Sequence, residues 1–497
     1  MRTGRQSSLV LVTVDCLRAD RVGFMGFDQP TTPFLDRLAG ESLVFPKAIA
    51  VGAPTYYSFP GIMGSRFPLA LGRDVVGIAP GEPTLASTLR ASGYRTAAFV
   101  AANPYLSPRF GYEQGFELFR DFLGDGLGPA GGAPEGPRAM RTHLNEKLSA
   151  WAHAMGPLGK LYDELYFQYC QRIAAPGDVS WDQLRRFPAA DVLVGHALEW
   201  IQSLAGEPFF LWLHFMDPHA PYYPPAEALA ALGTGNLSPS RGRYLNAAWN
   251  RGDLDDEGLR RYADDVRLLH DAGIRWVDMQ LERFVGTLQS HSLWDSAVFV
   301  LTADHGEEFL DHGGRFHPPS RLHQELLHVP LLVRVPGAPK KALSRAPFSH
   351  VHLAPTMLDA MAVIPPPEFE GGSRWSEVQC GGGWELALSE SVGACTNPMD
   401  TTKRVGARML AVQNERYKLV LDFDRGEEWM FDLDGDRGEQ SPLPRDAQKA
   451  IRATLLRAAL EHAQADPRSH DLSLRARVRE VGLEWRHSKM PAEVPAS

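Results

Sequence analysis

The chain is short of cysteine, of positive charge and of any long apolar run, and each shortage closes off a class of protein. Its four cysteines, Cys16, Cys170, Cys380 and Cys395, are scattered over 497 residues. They have neither the spacing of a zinc knuckle nor the density of a secreted disulfide scaffold, so free thiols are expected. Against 60 aspartates and glutamates stand 51 lysines and arginines, a formal net charge of −9. With no basic run and no basic-aromatic interleaving, no nucleic-acid groove is expected. No stretch approaches the ~20 uninterrupted apolar residues of a membrane span, so no membrane segment is expected. The first apolar run, Leu9 to Val14, is too short for the core of a leader peptide, and the expected location is the cytoplasm.

What is present is an ordinary globular balance, 44% hydrophobic and 22% charged, in a chain too long for one core. A large domain over 1–365 and a small one over 366–464 are expected, followed by a tail over 465–497. Strand-like runs alternate with helical periods, which favours an α/β fold with a large, mostly parallel sheet sandwiched by helices. Helices are predicted from Pro33, capped by Thr32, to Gly40; over Thr84–Ala91 and Ala190–Leu204; along the stripe Tyr262, Val266, Leu269 to Leu288; and over Val351–Ala360 and 445–464. A helical insertion is predicted near 144–173, loops over 121–137 and 224–258, and an unpatterned bend over 48–68. Leu326–Val335 reads as one strand segment interrupted by Pro330. Short segments at 408–412, 418–422 and 428–432 suggest a small C-terminal antiparallel sheet.

Two apolar runs end abruptly in chemistry. Leu9–Val14 stops at Asp15, and Ala297–Ala303 stops at Asp304-His305-Gly306. Ligands of open α/β sheets collect beyond the carboxyl ends of such strands, so parallel neighbours would bring Asp15, Asp304 and His305 onto one cation site. A third run, Phe209–Phe215, ends in Asp217-Pro218-His219.

Phosphate and sulfate esters react slowly because a nucleophile must approach an anionic centre while charge grows on the leaving oxygen; a metal ion relieves both. Three ligands leave room for a side-chain alkoxide, and their O and N donors suit Mn²⁺ or Zn²⁺ better than Ca²⁺ or Mg²⁺. Thr55, in the Gly/Pro-rich bend Gly52–Pro60 and before a helix start whose amides would face the substrate's anionic oxygens, is the candidate alkoxide and fourth ligand, with Ser58 as its local rival. Asp217 and His219 are candidates for a second ion, for holding a substrate oxygen, or, for His219, for protonating the leaving group. His317 is a candidate phosphate or metal contact, with His352 as its rival.

These residues carry a resemblance to the alkaline phosphatase and sulfatase superfamily. It rests on Val12-Thr13-Val14-Asp15, Thr31-Thr32-Pro33-Phe34-Leu35-Asp36, Asp217-Pro218-His219-Ala220-Pro221-Tyr222, Thr302-Ala303-Asp304-His305-Gly306-Glu307-Glu308, Val329-Pro330-Leu331, Ala354-Pro355-Thr356 and the ending Trp429-Met430-Phe431-Asp432. The resemblance implies a metal on Asp15, Asp304 and His305, and places Thr55 where sulfatases carry the residue converted to formylglycine. It also has departures. Cys16 replaces a second aspartate, the formylglycine arginine is absent, and Asn103 aligns with a sulfate-handling histidine, which makes it a substrate-binding candidate. Aspartate, threonine, aspartate and histidine are the set found at one metal of the superfamily's phosphatases and phosphodiesterases. The expectation is therefore a metal-dependent phosphoester hydrolase, a phosphomonoesterase or phosphodiesterase, acting through a phosphothreonine at Thr55 on a small organic phosphoester. One ion is expected, with a second on Asp217, His219, His317 or His352. The alternatives are a phosphotransferase with the same intermediate, a sulfatase lacking formylglycine, and a non-catalytic binding protein on this scaffold; a homo-oligomer is compatible with all of them.

Overall fold

The computed structural model describes residues 7–72, 75–124, 157–172, 179–233, 237–338, 345–380, 386–393, 408–423 and 425–465. A seven-stranded sheet runs in spatial order β2 (Leu43–Val44), β11 (Leu331–Arg334), β7 (Ala297–Ala303), β1 (Ser8–Val14), β6 (Phe209–Phe215), β4 (Arg95–Val100) and β5 (Leu118–Arg120). From β7 to β5 the neighbours are parallel, and β11 runs antiparallel to both β7 and β2. Every residue of β1, β6 and β7 is buried, which is why these strands are apolar throughout instead of alternating. Val14 lies opposite Phe215 on one side and Ala303 on the other, so Asp15, Met216 and Asp304 leave the sheet at one level.

Pro330 does more than interrupt a strand. It separates β10 (His328–Val329) from β11, and the two join different sheets, since proline has no N–H with which to continue a ladder. In a three-stranded sheet, β3 (Ala48–Ile49) lies between β10 and β12 (Phe348–Ser349), while β8 (Glu308–Phe309) pairs with β9 (Arg315–Phe316). The C-terminal antiparallel sheet is β13 (Ala387–Val392), β14 (Arg408–Gln413), β15 (Tyr417–Asp422) and β16 (Glu427–Asp432). The helix Lys449–Ala465 covers it, packing Leu455 and Ala459 on Leu410, Val412 and Leu419.

Strand β13 was not legible in the sequence because its centre, Ser389-Glu390-Ser391, reads as polar; those groups are buried against the large domain. The Glu390 amide donates to Val51 O (2.8 Å) and Ser389 Oγ to Ala50 O (2.6 Å). Glu390 Oε1 accepts the Leu69 amide (2.8 Å), and Oε2 meets Arg408 Nη2 (2.7 Å) and His462 Nε2 (3.2 Å).

Three other expectations are corrected. The bend over 48–68 contains a helix, Thr55–Gly64, whose ten residues are all buried, so it has no polar face and no period to detect. The loop expected over 224–258 contains the helices Ala226–Ala231 and Pro239–Trp249; Leu245, Ala248 and Trp249 of the second pack with Tyr262, Val266 and Leu269. Thr32 does not cap the Pro33–Ala39 helix. Asp278 caps it from a distant helix, accepting the amides of Phe34 (3.0 Å) and Leu35 (2.9 Å). Within the predicted 144–173 insertion, Pro157–Arg172 is helical; 144–156, most of the 121–137 loop and the tail from 466 lie outside the described residues.

The long helix Asp256–Ser290, capped by Asp255, crosses behind the chain leaving β6. A Cβ on Gly273 would stand 2.5 Å from Asp217 O and 2.9 Å from Asp217 C, both backbone atoms. Alanine gains up to ~1 kcal/mol of helix propensity over glycine. Overpacking against backbone costs more, about 1–3 kcal/mol, so Gly273→Ala is expected to lower the urea midpoint. An unchanged or raised midpoint would show that the helix does not press on this loop.

Candidate active site

Asp15 sits immediately beyond β1, fully buried, with each oxygen engaged. Asn103 Nδ2 donates to Oδ2 (2.9 Å), and Cys16 Sγ donates to Oδ1 (3.2 Å). Behind it a relay fixes the orientation of His214. The Trp212 indole, a donor only, gives its hydrogen to Thr13 Oγ1 (2.9 Å); the same hydroxyl lies 2.9 Å from His214 Nδ1 and 3.4 Å from Leu213 O, and His214 Nε2 stands 3.5 Å from Asp15 Oδ2. Burial works to raise the Asp15 carboxyl, but His219, His214 and His305 outweigh it and hold it well below the usual range. Burial and the charge of Asp15 push Asp304 the other way.

His305 follows Asp304 beyond β7. Its Nδ1–H donates to Gly306 O (2.8 Å), which leaves the Nε2 lone pair directed at Thr55 Oγ1 (3.2 Å), Asp304 Oδ2 (3.4 Å) and Asp15 Oδ1 (3.7 Å). Gly306 is required here, because a Cβ would lie 1.9 Å from Glu325 O. Asp304 Oδ2 is buried without a hydrogen-bond partner. An ion ~2.0–2.2 Å from tetrahedral donors sets them roughly 3.3–3.6 Å apart. The observed 3.2, 3.4 and 3.7 Å separations from His305 Nε2 bracket that span, so these side chains fit a divalent cation without rearrangement. Asp15, Asp304 and His305 together form a compact, wholly buried donor set.

Thr55 is the first residue of the Thr55–Gly64 helix, 3% exposed. Its hydroxyl meets His305 where the amide-rich helix start favours an anion. Ser58, the rival, spends its hydroxyl on Thr55 O (3.1 Å) inside the same helix.

The remaining candidates divide. The His317 and His305 rings are 4.6 Å apart and the His317 and His219 rings 5.1 Å, so both candidates reach the site. Asp217 does not. It accepts the Ala190 amide (3.2 Å) at the start of the Ala190–Ser203 helix, where burial raises its carboxyl to about 7. Its role as a cap was hidden because the capped helix lies upstream in the sequence. His352 also lies apart, with Nδ1 against Gly372 O (3.0 Å) and its ring beside Phe348. Neither joins a metal-type donor cluster among the described residues.

Asn103 was expected at the substrate. Its amide is tied to the protein by one Nδ2–H, which donates to Asp15, while Oδ1 accepts the Tyr105 amide (3.0 Å). Groups that orient a ligand typically contribute 10–100-fold to metal affinity, so Asn103→Ala is expected to weaken binding by about that factor in a calorimetric titration. Unchanged affinity would show that Asp15 needs no such support. Sequence reading also missed three buried groups, His214, Cys16 and Glu307. A histidine inside an otherwise apolar strand was the available signal for the first.

Beside His219 and His317 a cavity of about 480 Å³ opens, lined also by Arg186, Tyr223 and Arg243. Its basic lining suits an anionic substrate.

Over 392 residues the chain is 23% identical to an arylsulfatase of Clostridium perfringens, covering 73% of this chain and 76% of that one. A structure solved with its substrate D-glucosamine-2-N,6-O-disulfate superposes with a TM-score of 0.67 at 17% identity, covering 94% of this chain and 99% of the other. The phosphonate monoester hydrolase of Silicibacter pomeroyi gives a TM-score of 0.62 at 20% identity, covering 94% and 97%. Since the sulfatase family model also matches residues 7–363, through every strand of the large sheet and every residue of the metal-type cluster, the chain belongs to the sulfatase family.

Proposed function

We propose that this chain is a metal-assisted hydrolase of small anionic esters with Thr55 as its nucleophile. The observation that carries the reading is the 3.2 Å separation of Thr55 Oγ1 and His305 Nε2 beside two buried carboxylates. Asp15, Asp304 and His305 would hold a divalent ion, Mn²⁺ and Zn²⁺ suiting these donors, and when bound it would supply positive charge to the alkoxide and the transferred group. Thr55 Oγ, its proton released to solvent, forms a bond to sulfur or phosphorus as the bond to the alcohol oxygen breaks, and that oxygen takes a proton from protonated His219 on the cavity side. Water then gives a proton back to His219 and attacks the threonine ester at the same centre, releasing the hydrogen sulfate or hydrogen phosphate and returning Thr55 Oγ to its starting state.

Kinship favours sulfate esters, so the sulfoester alternative ranks above the phosphoester expectation. One specific observation keeps the phosphoester reading second: a threonine, which cannot be oxidised to formylglycine, stands beside His305. An aryl sulfate, an aryl phosphate monoester and a phosphodiester offered to metal-loaded protein separate the readings. Fastest turnover of the sulfate supports the first, and fastest turnover of a phosphate replaces it with the second. No turnover of any of them, with metal still bound, would overturn the enzymatic reading.

A further inference from the structure

We propose that Arg186 and Arg243 form a subsite for a second anionic group, carried by the alcohol part of the ester and distinct from the group transferred to Thr55. The favoured substrates are then sulfate or phosphate esters of an alcohol that also bears a carboxylate, sulfate or phosphate. This deepens the ester-hydrolase reading, on which it rests for the position of the leaving alcohol but not for the class of ester.

The leaving alcohol projects into the cavity of about 480 Å³, because His219, which protonates it, lines that space. His317 joins the cavity to the reaction centre, its ring 4.6 Å from that of His305. The transferred group lies on the other side, at the Thr55 helix start and the donors Asp15, Asp304 and His305. Arg186 comes from the chain just after the short helix Trp181–Leu184, and Arg243 from the helix Pro239–Trp249, so two separate segments bring guanidiniums to one cavity. Arg243 Nη2 donates to Gln171 O (3.0 Å), which holds that group at the wall. Tyr223 stands with them. Burial raises its phenol while the charges of Arg186 and Arg243 pull it back, so both guanidiniums act on this one ring.

Charge supplies an independent reason. Among the described residues no aspartate or glutamate lines this cavity. Arginines close by are balanced: Arg185 Nη2 meets Asp182 Oδ1 (3.3 Å), Arg241 Nη2 meets Asp265 Oδ2 (2.7 Å), and Arg251 is held by Glu164 and Asp253. Arg186 is exposed and has no carboxylate partner among the described residues. Asn246, the buried amide of the wall, spends both Nδ2 hydrogens on Tyr222 O and Gly242 O (2.9 Å each), so donation to a ligand falls to the guanidiniums. Like charges on one cavity with no acid between them repel, and an anionic group relieves that repulsion while accepting charge-assisted, bidentate hydrogen bonds. Pro221 and Phe316 give the rest of the lining an apolar surface for the organic part of the alcohol.

The test reads binding and turnover separately. In a calorimetric titration of metal-loaded protein, 4-hydroxybenzoate, a product alcohol bearing an acid, is expected to bind roughly 10- to 100-fold tighter than 4-hydroxybenzamide, which has the same shape without the charge. Arg186→Ala and Arg243→Ala should each reduce that preference by about tenfold. Arg241→Ala, on the same helix as Arg243 but paired with Asp265, should keep it. Titrating 4-hydroxybenzenesulfonate alongside tells whether the subsite prefers a planar or a tetrahedral anion. With the sulfate or phosphate esters of the same alcohols, the preference should lie in KM more than in kcat. Equal affinity for acid and amide in the wild type would overturn the proposal. So would a preference that survives both arginine substitutions, as expected of a carboxylate seated on the metal, or a loss of turnover equal for both esters, as expected if the arginines served the transferred group. Because the titrations need no reaction, absence of turnover would count against the ester-hydrolase reading and leave the binding result standing.

Discussion

Replacing Thr55 with alanine is expected to lower turnover by roughly 10⁴- to 10⁶-fold, the range seen when a covalent nucleophile is removed. The loss should be confined to chemistry. The hydroxyl meets His305 Nε2, and the three other donors of the site remain in place, so the stripped variant should still bind one divalent ion there. Thr55→Ser keeps a hydroxyl at the helix start and should retain a substantial part of the rate. A further observation identifies the step. Wild-type protein quenched during turnover should carry a sulfo or phospho group on Thr55, detectable by mass. An alanine variant within a few-fold of wild type would remove Thr55 from the reaction and leave the ion to activate water directly.

The second large effect is on stability and lies far from the nucleophile. Arg408→Leu is expected to cost about 3–5 kcal/mol, because it leaves the Glu390 carboxylate buried with its strongest partner gone. Burial alone would raise that carboxyl. Arg408, then His462, overcome burial and bring it from 4.5 to about 2. A folded-state value below the unfolded one means that the stabilisation is present above pH 4.5 and is lost as pH falls towards 2. Urea midpoints measured across that acid window should therefore fall steeply for the wild type and more shallowly for Glu390→Gln. Equal slopes would show that Glu390 carries no special share of the acid lability.

These two sites differ in how far the sequence disclosed them. Asp15, Asp304 and His305 were legible because each follows an apolar run, and a strand buried on both faces can announce only its end. The architecture followed from the same runs. A helix start beside the Thr55 hydroxyl was expected, but the extent of that helix was not legible, since burial on every side erases the periodicity that marks a helix. Asp217 and His352 misled for another reason. A carboxylate or imidazole near a strand end can serve a backbone amide as readily as a metal, and only coordinates show which amide is within reach. Cys16 and Glu307 were in plain view within recognised segments, yet a buried thiol and an unpartnered carboxylate become informative only when distance joins them. Glu390 was masked by its polar surroundings in β13, a strand whose buried partners lie some 340 residues upstream.

That last separation bears on how the protein comes to be active during its synthesis. The bend from Ala50 to Pro54 leads directly into Thr55, and a Cβ on Gly52 would stand 2.5 Å from Glu390 O, so β13 is a wall of the nucleophile's own turn. On the ribosome this turn emerges long before its wall exists. Shortened products that end ahead of Ala387 would lack the strand against which Ala50, Val51 and Gly52 pack. The turn that leads into Thr55 is thus completed only once β13 has been made.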